Sequence, residues 1–466
     1  MKTLKPEFEQ MLAELALMAG GEVVEGLAEC LKATGPSCSL RVNVAKGVRP
    51  ANDERRPVAW CAEGFYIDGD RPQFTFDPAL HQGLYYVQDA SSMALTEVIR
   101  KIAGESREPL VYVDACAAPG GKTTAALGCL PPGSVVIANE FDRSRCGVLA
   151  ENVAKWGATG VIVSNCDTSR LAQLGGLADI VAVDAPCSGE GMMRKDDDAV
   201  AQWTSRLTRN CSSLQKEIVA NAWNALRPGG CLVYSTCTFN TLENEGVVEW
   251  AVAELGAEVH PTGLERYAGV SGQIGSDHHA ARFIPGRVDG EGLFMALMRK
   301  PSDAPAAPAL KPAKVKPLKL PQVESWLRSG FVLAELAPGI VSALPQDSAA
   351  LIAAVASKLK AVYVATEVAS LKGRDYVPSQ QLALAPEVLR REAFPQVEVD
   401  YATAMLYLQG QAIQLSGGVP RGFVLLTYGA RPLGFVKNLG NRANNLYPRR
   451  WAVRSSYVPP TAPRIL

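Results

Sequence analysis

VYVDACAAPGGKTTAAL, residues 111–127, is the stretch whose reading decides the fold. Val111, Tyr112 and Val113 form a short β-prone run that ends on Asp114. Gly120 and Gly121 then permit a tight turn, and a helix begins near Lys122. Strand, turn and helix together make the repeating unit of a parallel sheet. Outward from this stretch the unit recurs. The apolar runs VVIANE, VIVSN, DIVAVD, CLVYST and LFMALM alternate with amphipathic segments such as RSRCGVLAENVAKWG and SLQKEIVANAWNALRPGG. The alternation predicts an α/β fold, a doubly wound and mostly parallel sheet over residues 106–300.

A chain of 466 residues and 49.7 kDa exceeds one ordinary domain. Residues 1–105 open with a helical pattern (Phe8, Met11, Leu12, Leu15, Met18) followed by the apolar stretch SLRVNV, so a small α/β domain is expected there. PSDAPAAPALKPAKVKPLKLP, residues 301–321, is rich in Pro, Ala and Lys and reads as an extended linker. Residues 322–466 end in alternating runs such as GFVLLTYGARPLGFVKNLG, a β-rich domain.

The 47 basic and 47 acidic residues cancel, yet their distribution is uneven. No Asp or Glu follows Asp400, whereas Arg421, Arg431, Lys437, Arg442, Arg449, Arg450, Arg454 and Arg464 do. An unneutralised basic tail points to a polyanion, most simply nucleic acid. Tyr428, Phe435, Tyr447 and Trp451 in that tail are available either to stack on bases or to pack a core. Acids in MKTLKPEFEQ, where an export signal would be apolar, predict a cytoplasmic protein, and no apolar run is long enough to span a bilayer. Eleven cysteines without CxxC spacing then read as reduced thiols, and with four histidines no metal site is expected.

Ligands of doubly wound sheets bind beyond the carboxyl ends of the strands. At the first of these ends GGKTT suggests a phosphate loop, but that motif requires glycine where Cys116 stands, and GxGxxG is absent. S-adenosylmethionine fits better, because it needs backbone NH groups and acids instead of a phosphate cradle. Acids close four successive runs: Asp114, Glu140 for the ribose hydroxyls, Asp167 for the adenine amino group, and Asp184 facing the transferable methyl. The expected cofactor residues are Cys116, Ala117, Ala118, Pro119, Gly120, Gly121 and Lys122 with Glu140, Arg145, Asp167 and Asp184. The Cys116 thiol itself has no chemical role.

The fourth and fifth runs lead into DAPCSGEG and STCTFN, which carry Cys187 and Cys237. Neighbouring strand ends would bring both thiols to one cleft. A thiol beside a transferable methyl suggests pyrimidine chemistry, in which a thiolate adds to carbon 6 and makes carbon 5 nucleophilic. Asp184 would hydrogen-bond the base.

DACAAPGGKT, DAPCSGEG and STCT together resemble the Nop/Sun family of RNA cytosine-5 methyltransferases, over about residues 40–299. QDASSM (residues 88–93) and RFIPGRVDGEGLFMALM are similar to flanking segments of that family. The resemblance implies a Rossmann-like methyltransferase fold with one antiparallel edge strand. It also implies Cys237 as nucleophile and Cys187 in product release. DNA cytosine methyltransferases use the Pro-Cys thiol instead, so exchanged roles are the internal alternative. The extension resembles that of the bacterial small-subunit rRNA methyltransferase F group, whose tail carries a PUA-like RNA-binding module, with FVKNLGNRANNLYPRRW at its end. The resemblance implies a cytosine of small-subunit (16S) rRNA as substrate; a monomer acting without membrane or metal is expected. Arg41 and Asn43 of LRVNV are then expected to face RNA. One departure is Gly286 after Pro285, where the family often has histidine following an Arg-x-x-Pro pattern, here begun by Arg282. A tRNA substrate, a non-catalytic RNA-binding assembly factor and a thiol hydrolase are the alternatives; no histidine lies near a strand end to serve the last.

Overall fold

The computed structural model describes residues 3–19, 24, 26–32, 35, 37–49, 55–104, 106, 108–308 and 310–466. The expected boundary at residue 105 falls outside them. Each of the six apolar runs forms a strand, five of them rich in β-branched residues and the sixth, LFMALM, buried on both faces. The strands are β1 (Val111–Asp114), β2 (Val135–Asn139), β3 (Val161–Ser164), β4 (Ala178–Asp184), β5 (Leu226–Thr236), β6 (Glu258–His260), β7 (Ala281–Phe283), β8 (Leu293–Arg299) and β9 (Ala361–Val364). Their order is β6-β8-β5-β4-β1-β2-β3-β9, with β7 also on the outer side of β8. Strands β1 to β5 are parallel, and the reversal of strand order beside β1 sets the switch point where a ligand crevice opens.

The antiparallel strand β8 is not the edge strand that the resemblance implied, since β6 and β7 pair beyond it. At the opposite edge β9, supplied by the C-terminal block, pairs antiparallel with β3. Covering that edge removes a row of free backbone groups that would otherwise template association.

Helices begin and end on local chemistry. Helix α1 (Gly121–Leu127) follows Gly120 in left-handed conformation (φ +106°). Helix α2 (Arg143–Trp156) is capped by the Asp142 side chain on the Arg145 NH at 2.8 Å and stopped by Gly157 at φ +77°. The long helix α3 (Ser205–Ala225) starts at Thr204, whose hydroxyl accepts from the Leu207 NH at 3.0 Å.

The N-terminal helix Pro6–Ala19 buries Phe8, Leu12 and Leu15 in a cluster with Trp203 and Phe239, so it packs on the loops that follow β4 and β5. Behind it Cys38–Val42, Cys61–Ile67, Pro57–Val58 and Tyr85–Val87 form a four-stranded antiparallel sheet. Arg41 and Asn43 do not face outward as expected. They are 2% and 1% exposed, because their polar groups are used inside: Asn43 donates to the Gly83 and Trp156 carbonyls. The C-terminal block holds two further four-stranded sheets, Phe331–Ala337 to Asp375–Pro378 and Gln396–Glu398 to Ala443–Asn445. Residues 305–308 and 310–320 form no helix or strand but are docked: Leu310 and Val315 pack on the central core, and the Leu318 NH donates to the Leu333 carbonyl at 2.9 Å. Of the tail aromatics, Phe435, Tyr447 and Trp451 are buried in cores and Tyr428 is half-buried, so packing and not base stacking accounts for the first three. No helix among the described residues is long and apolar enough to cross a membrane.

Candidate active site

The carboxyl ends of the parallel strands β1, β2, β4 and β5 lie side by side at one edge of the sheet. At β1, Asp114 is fully buried; one carboxylate oxygen accepts from Thr123 Oγ1 at 2.6 Å and the other, Oδ1, has no hydrogen-bond partner. Burial pushes its carboxyl up to about 7. The loop beyond it is tied down on both sides. Ala117 N donates to the Asn139 carbonyl at 2.8 Å and Ala118 N to Glu140 Oε2 at 3.3 Å. A Cβ at Gly120 would sit 3.2 Å from Leu149 Cδ1 in a backbone conformation that side chains resist.

Each expected cofactor residue takes a distinct position. Glu140 is buried with its second oxygen on the Asp142 NH at 2.9 Å. Arg145 donates to the Ala118 carbonyl at 2.8 Å and lies 3.7 Å from Glu140, so it braces the loop from the outside. Pro119 is exposed, its carbonyl held by Asn152 Nδ2 at 2.8 Å. Burial holds the Cys116 thiol far above its ordinary value, in keeping with a neutral group that does no chemistry. Asp167 is exposed, and hydrogen bonds from Ser169 hold its carboxyl below the usual value; it caps the short turn after β3. Lys122 turns away from the loop: its Nζ pairs with Asp184 Oδ2 at 2.8 Å. Burial opposes the Lys122 charge, but Asp184 outweighs it and the ammonium lies above its ordinary value.

The two thiols meet. Asp184 on β4 is level with Ser235 on β5, and Ser235 Oγ donates to Asp184 Oδ1 at 2.8 Å. Three and two residues further on, Cys187 and Cys237 are both half-buried, with their sulfurs 3.2 Å apart. That separation is a thiol contact, well beyond a disulfide bond length. The hydrogen bond with Cys237, then burial, holds the Cys187 thiol well above its ordinary range. The contact allows either sulfur to donate to the other.

Reading the sequence missed the residues that hold this pair in place. Glu190, fully buried, accepts from Phe239 N at 2.6 Å, Asn240 N at 3.0 Å and Trp203 Nε1 at 3.0 Å, tying the Cys187 loop to the Cys237 loop. Glu243 accepts from Ser188 N and Asn240 Nδ2. Gly191 N donates to the Cys237 carbonyl at 2.7 Å, and a Cβ there would meet that oxygen at 2.5 Å. The available signal was two acids within six residues of the two cysteines, in SGEG and FNTLENE. Arg41 was missed for another reason: from the N-terminal block its guanidinium donates to Gly121 O, Thr124 O, Thr124 Oγ1 and Gln88 Oε1, pinning the first turn of α1. Arg282, which begins the pattern that Gly286 departs from, makes a buried bidentate pair with Glu245 and donates to the Phe239 carbonyl at 2.8 Å. That anchoring leaves position 286 outside it, where a Cβ would meet only Cys30, at 3.7 Å. Among the described residues no cluster of three or more metal-ligating side chains occurs.

Residues 103–299 match the family model of 16S rRNA methyltransferase RsmB/F. Residues 5–90 match that of the N-terminal domain of 16S rRNA methyltransferase RsmF, and residues 394–453 that of the methyltransferase RsmF PUA domain. The chain is 31% identical over 435 residues to ribosomal RNA small subunit methyltransferase F of Klebsiella pneumoniae, covering 88% of this chain and 89% of that one. It is 31% identical over 440 residues to the protein of that name from Shigella boydii, covering 88% of each. Among solved structures, NSun6 from Pyrococcus horikoshii with SFG aligns with a TM-score of 0.50 at 21% identity, over 62% of this chain and 97% of that one, a likeness of fold.

Proposed function

Because the chain belongs to the 16S rRNA methyltransferase RsmB/F family, we propose that it methylates carbon 5 of a cytosine in small-subunit rRNA, using S-adenosylmethionine and Cys237 as nucleophile. The observation that carries this reading is the Cys187–Cys237 contact at 3.2 Å, set beside the Lys122–Asp184 pair. A lone thiol at a strand end has many explanations. Two thiols in contact supply one sulfur for an addition and a second to take a proton before the elimination.

The residues around the β1 turn suit S-adenosylmethionine. The unpartnered Asp114 Oδ1 offers an acceptor, the left-handed Gly120 turns the backbone tightly into α1, and Glu140 stands at the end of β2 for a ribose diol. When bound, that group supplies an electrophilic methyl. This chain's own residues do the rest. Cys237 Sγ adds to carbon 6 of a base turned out of its stack, which makes carbon 5 electron-rich. Asp184, fixed by Lys122 and Ser235, accepts from the cytosine amino group or shares a proton with the ring nitrogen, favouring that addition. Once Cys237 is a neutral thioether, the largest cause holding the Cys187 proton is gone. Cys187 then gives it to water, its thiolate takes the proton from the methylated carbon 5, and that electron pair restores the ring double bond and expels the Cys237 thiolate from carbon 6.

The test is transfer of labelled methyl from S-adenosylmethionine to small-subunit rRNA, followed by digestion to nucleosides. The label is expected in 5-methylcytidine. Label in any other nucleoside, or none in rRNA, would overturn the proposal.

A further inference from the structure

Away from the catalytic crevice a cavity of about 430 Å³ lies where the N-terminal block meets the C-terminal one. Four cationic side chains line it: Lys46, Arg328, Arg391 and Arg431. Among the described residues none of the four has a carboxylate within ion-pair distance. Neutral oxygens fix them instead. Lys46 Nζ donates to the Gln82 and Lys155 carbonyls at 2.6 Å each. Arg431 donates to the Lys46 and Gly47 carbonyls, Arg328 Nε to Leu389 O at 3.2 Å, and Arg391 to Gln396 Oε1 at 2.8 Å and Ala430 O at 3.3 Å. The opposing wall is apolar, from Leu84, Leu384 and Pro432.

Four like charges held in place without a counter-charge repel one another, and an entering anion relieves that repulsion. Burial first, and the Arg431 charge second, depress the Lys46 ammonium to about 7. Arginines pre-positioned by carbonyls keep free donors for a fork-shaped acceptor. A phosphate group is such an acceptor. The apolar wall beside it suits a ribose, and the absence of an aromatic lining residue argues against a stacked base.

We propose that this cavity takes a backbone phosphate and its sugar from the rRNA substrate, at a point remote from the methylated cytosine. Helix α2, about 21 Å long for its 14 residues, runs between the two places: Arg145 in its first turn donates to the Ala118 carbonyl of the β1 loop, and the Lys155 carbonyl in its last turn accepts from the cavity's Lys46. The inference rests on the rRNA reading above.

The experiment uses the full chain with small-subunit rRNA, measuring affinity across a salt series for wild type, Arg328→Gln/Arg391→Gln, and Arg328→Lys/Arg391→Lys. Both positions carry exposed or half-buried side chains whose loss leaves the cores intact, and unchanged cofactor affinity checks the fold. The double Gln variant is expected to bind about ten-fold more weakly at physiological salt. Its log–log salt slope should be shallower by roughly 1.5, about 0.7 to 0.9 per lost contact. KM for rRNA should rise with kcat unchanged, and the Lys variant should restore most of the slope. Equal affinity and slope in wild type and double Gln variant would overturn the proposal. So would calorimetry in which inorganic phosphate binds the wild type and not the double Gln variant while rRNA affinity is equal, because the cavity would then hold a free anion. If the slope shifts as expected but no label reaches carbon 5, the chemistry of the preceding section fails and the phosphate site stands.

Discussion

Cys187 Sγ lies 3.2 Å from Cys237 Sγ although fifty residues separate the two in sequence. Parallel pairing of β4 with β5 produces the meeting, since Asp184 is level with Ser235 and each chain then turns into its cysteine loop. Glu190 and Gly191 lock the loops together by hydrogen bonds to Phe239, Asn240 and the Cys237 carbonyl. Chemically identical groups thus stand in unequal surroundings, since the hydrogen bond with Cys237 and then burial hold the Cys187 thiol above its ordinary range.

That inequality predicts different failures. Cys237→Ala removes the attacking sulfur, and methyl transfer should fall to background with cofactor affinity within a few-fold of wild type. Cys187→Ala leaves addition possible but removes the group that takes the carbon 5 proton. rRNA should then stay attached to the protein through denaturing electrophoresis. A stable adduct in the Cys237 variant and none in the Cys187 variant would reverse the roles.

Asp184 bridges two partners, Lys122 at 2.8 Å and Ser235 at 2.8 Å, and offers its remaining lone pairs to the crevice. Asp184→Asn keeps the size and discards the charge. Turnover should drop by about 10²-fold or more, the span of a positioned proton-handling group, with cofactor affinity changed much less. Equilibrium dialysis with single-turnover kinetics separates the two effects. A loss confined to affinity would place Asp184 among the cofactor contacts only.

The sheet was legible because its signal is local: runs such as VIVS and VVIAN bury every residue and admit one regular conformation. The candidate site was legible where acids or thiols close such runs, as at Asp114, Glu140, Asp184 and Cys237. What escaped depends on contacts across the chain. Arginine in a strand reads as a surface residue, and nothing near Arg41 announces that carbonyls some eighty positions later will absorb its charge. Basic and aromatic residues interleaved in the tail left base stacking and core packing both open. Phe435 packs on Phe394 and Tyr447 on Tyr407 and Trp451, contacts that no local pattern contains. Likewise β9 is an unremarkable AVYV until the open edge of β3 is there to receive it.

Arg41 supplies a stability test. It is buried, donates four hydrogen bonds and lies over the Trp156 ring at 4.7 Å. Arg41→Met fills similar space but strands Gln88 Oε1 and the Thr124 carbonyl without donors. Urea denaturation should show a loss of about 2–4 kcal/mol, the cost of leaving buried acceptors unpaired. Because the same bonds pin the first turn of α1, cofactor affinity should weaken too. Unchanged affinity would mean that the loop holds its shape without the N-terminal block.

Asp114 supplies a pH test whose sign follows from its surroundings. Burial raises its carboxyl to about 7, with Asp184 and Glu140 adding repulsion while Thr123 and Lys122 oppose the shift. The unfolded chain releases the same proton near 3.9. Between those values the folded protein binds more protons than the unfolded one, so this group's contribution to stability is fully present below about pH 4 and is lost as pH rises through about 7. Asp114→Asn keeps a neutral group of the same shape and cannot ionise. Its stability relative to wild type should therefore climb as pH goes from about 4 to 7 and level off above. Denaturation midpoints of both proteins across that range, without added cofactor, measure the difference directly. A difference that stays flat with pH would show that Asp114 is ionised throughout, and a buried carboxylate there would need a counter-charge nearer than Lys122.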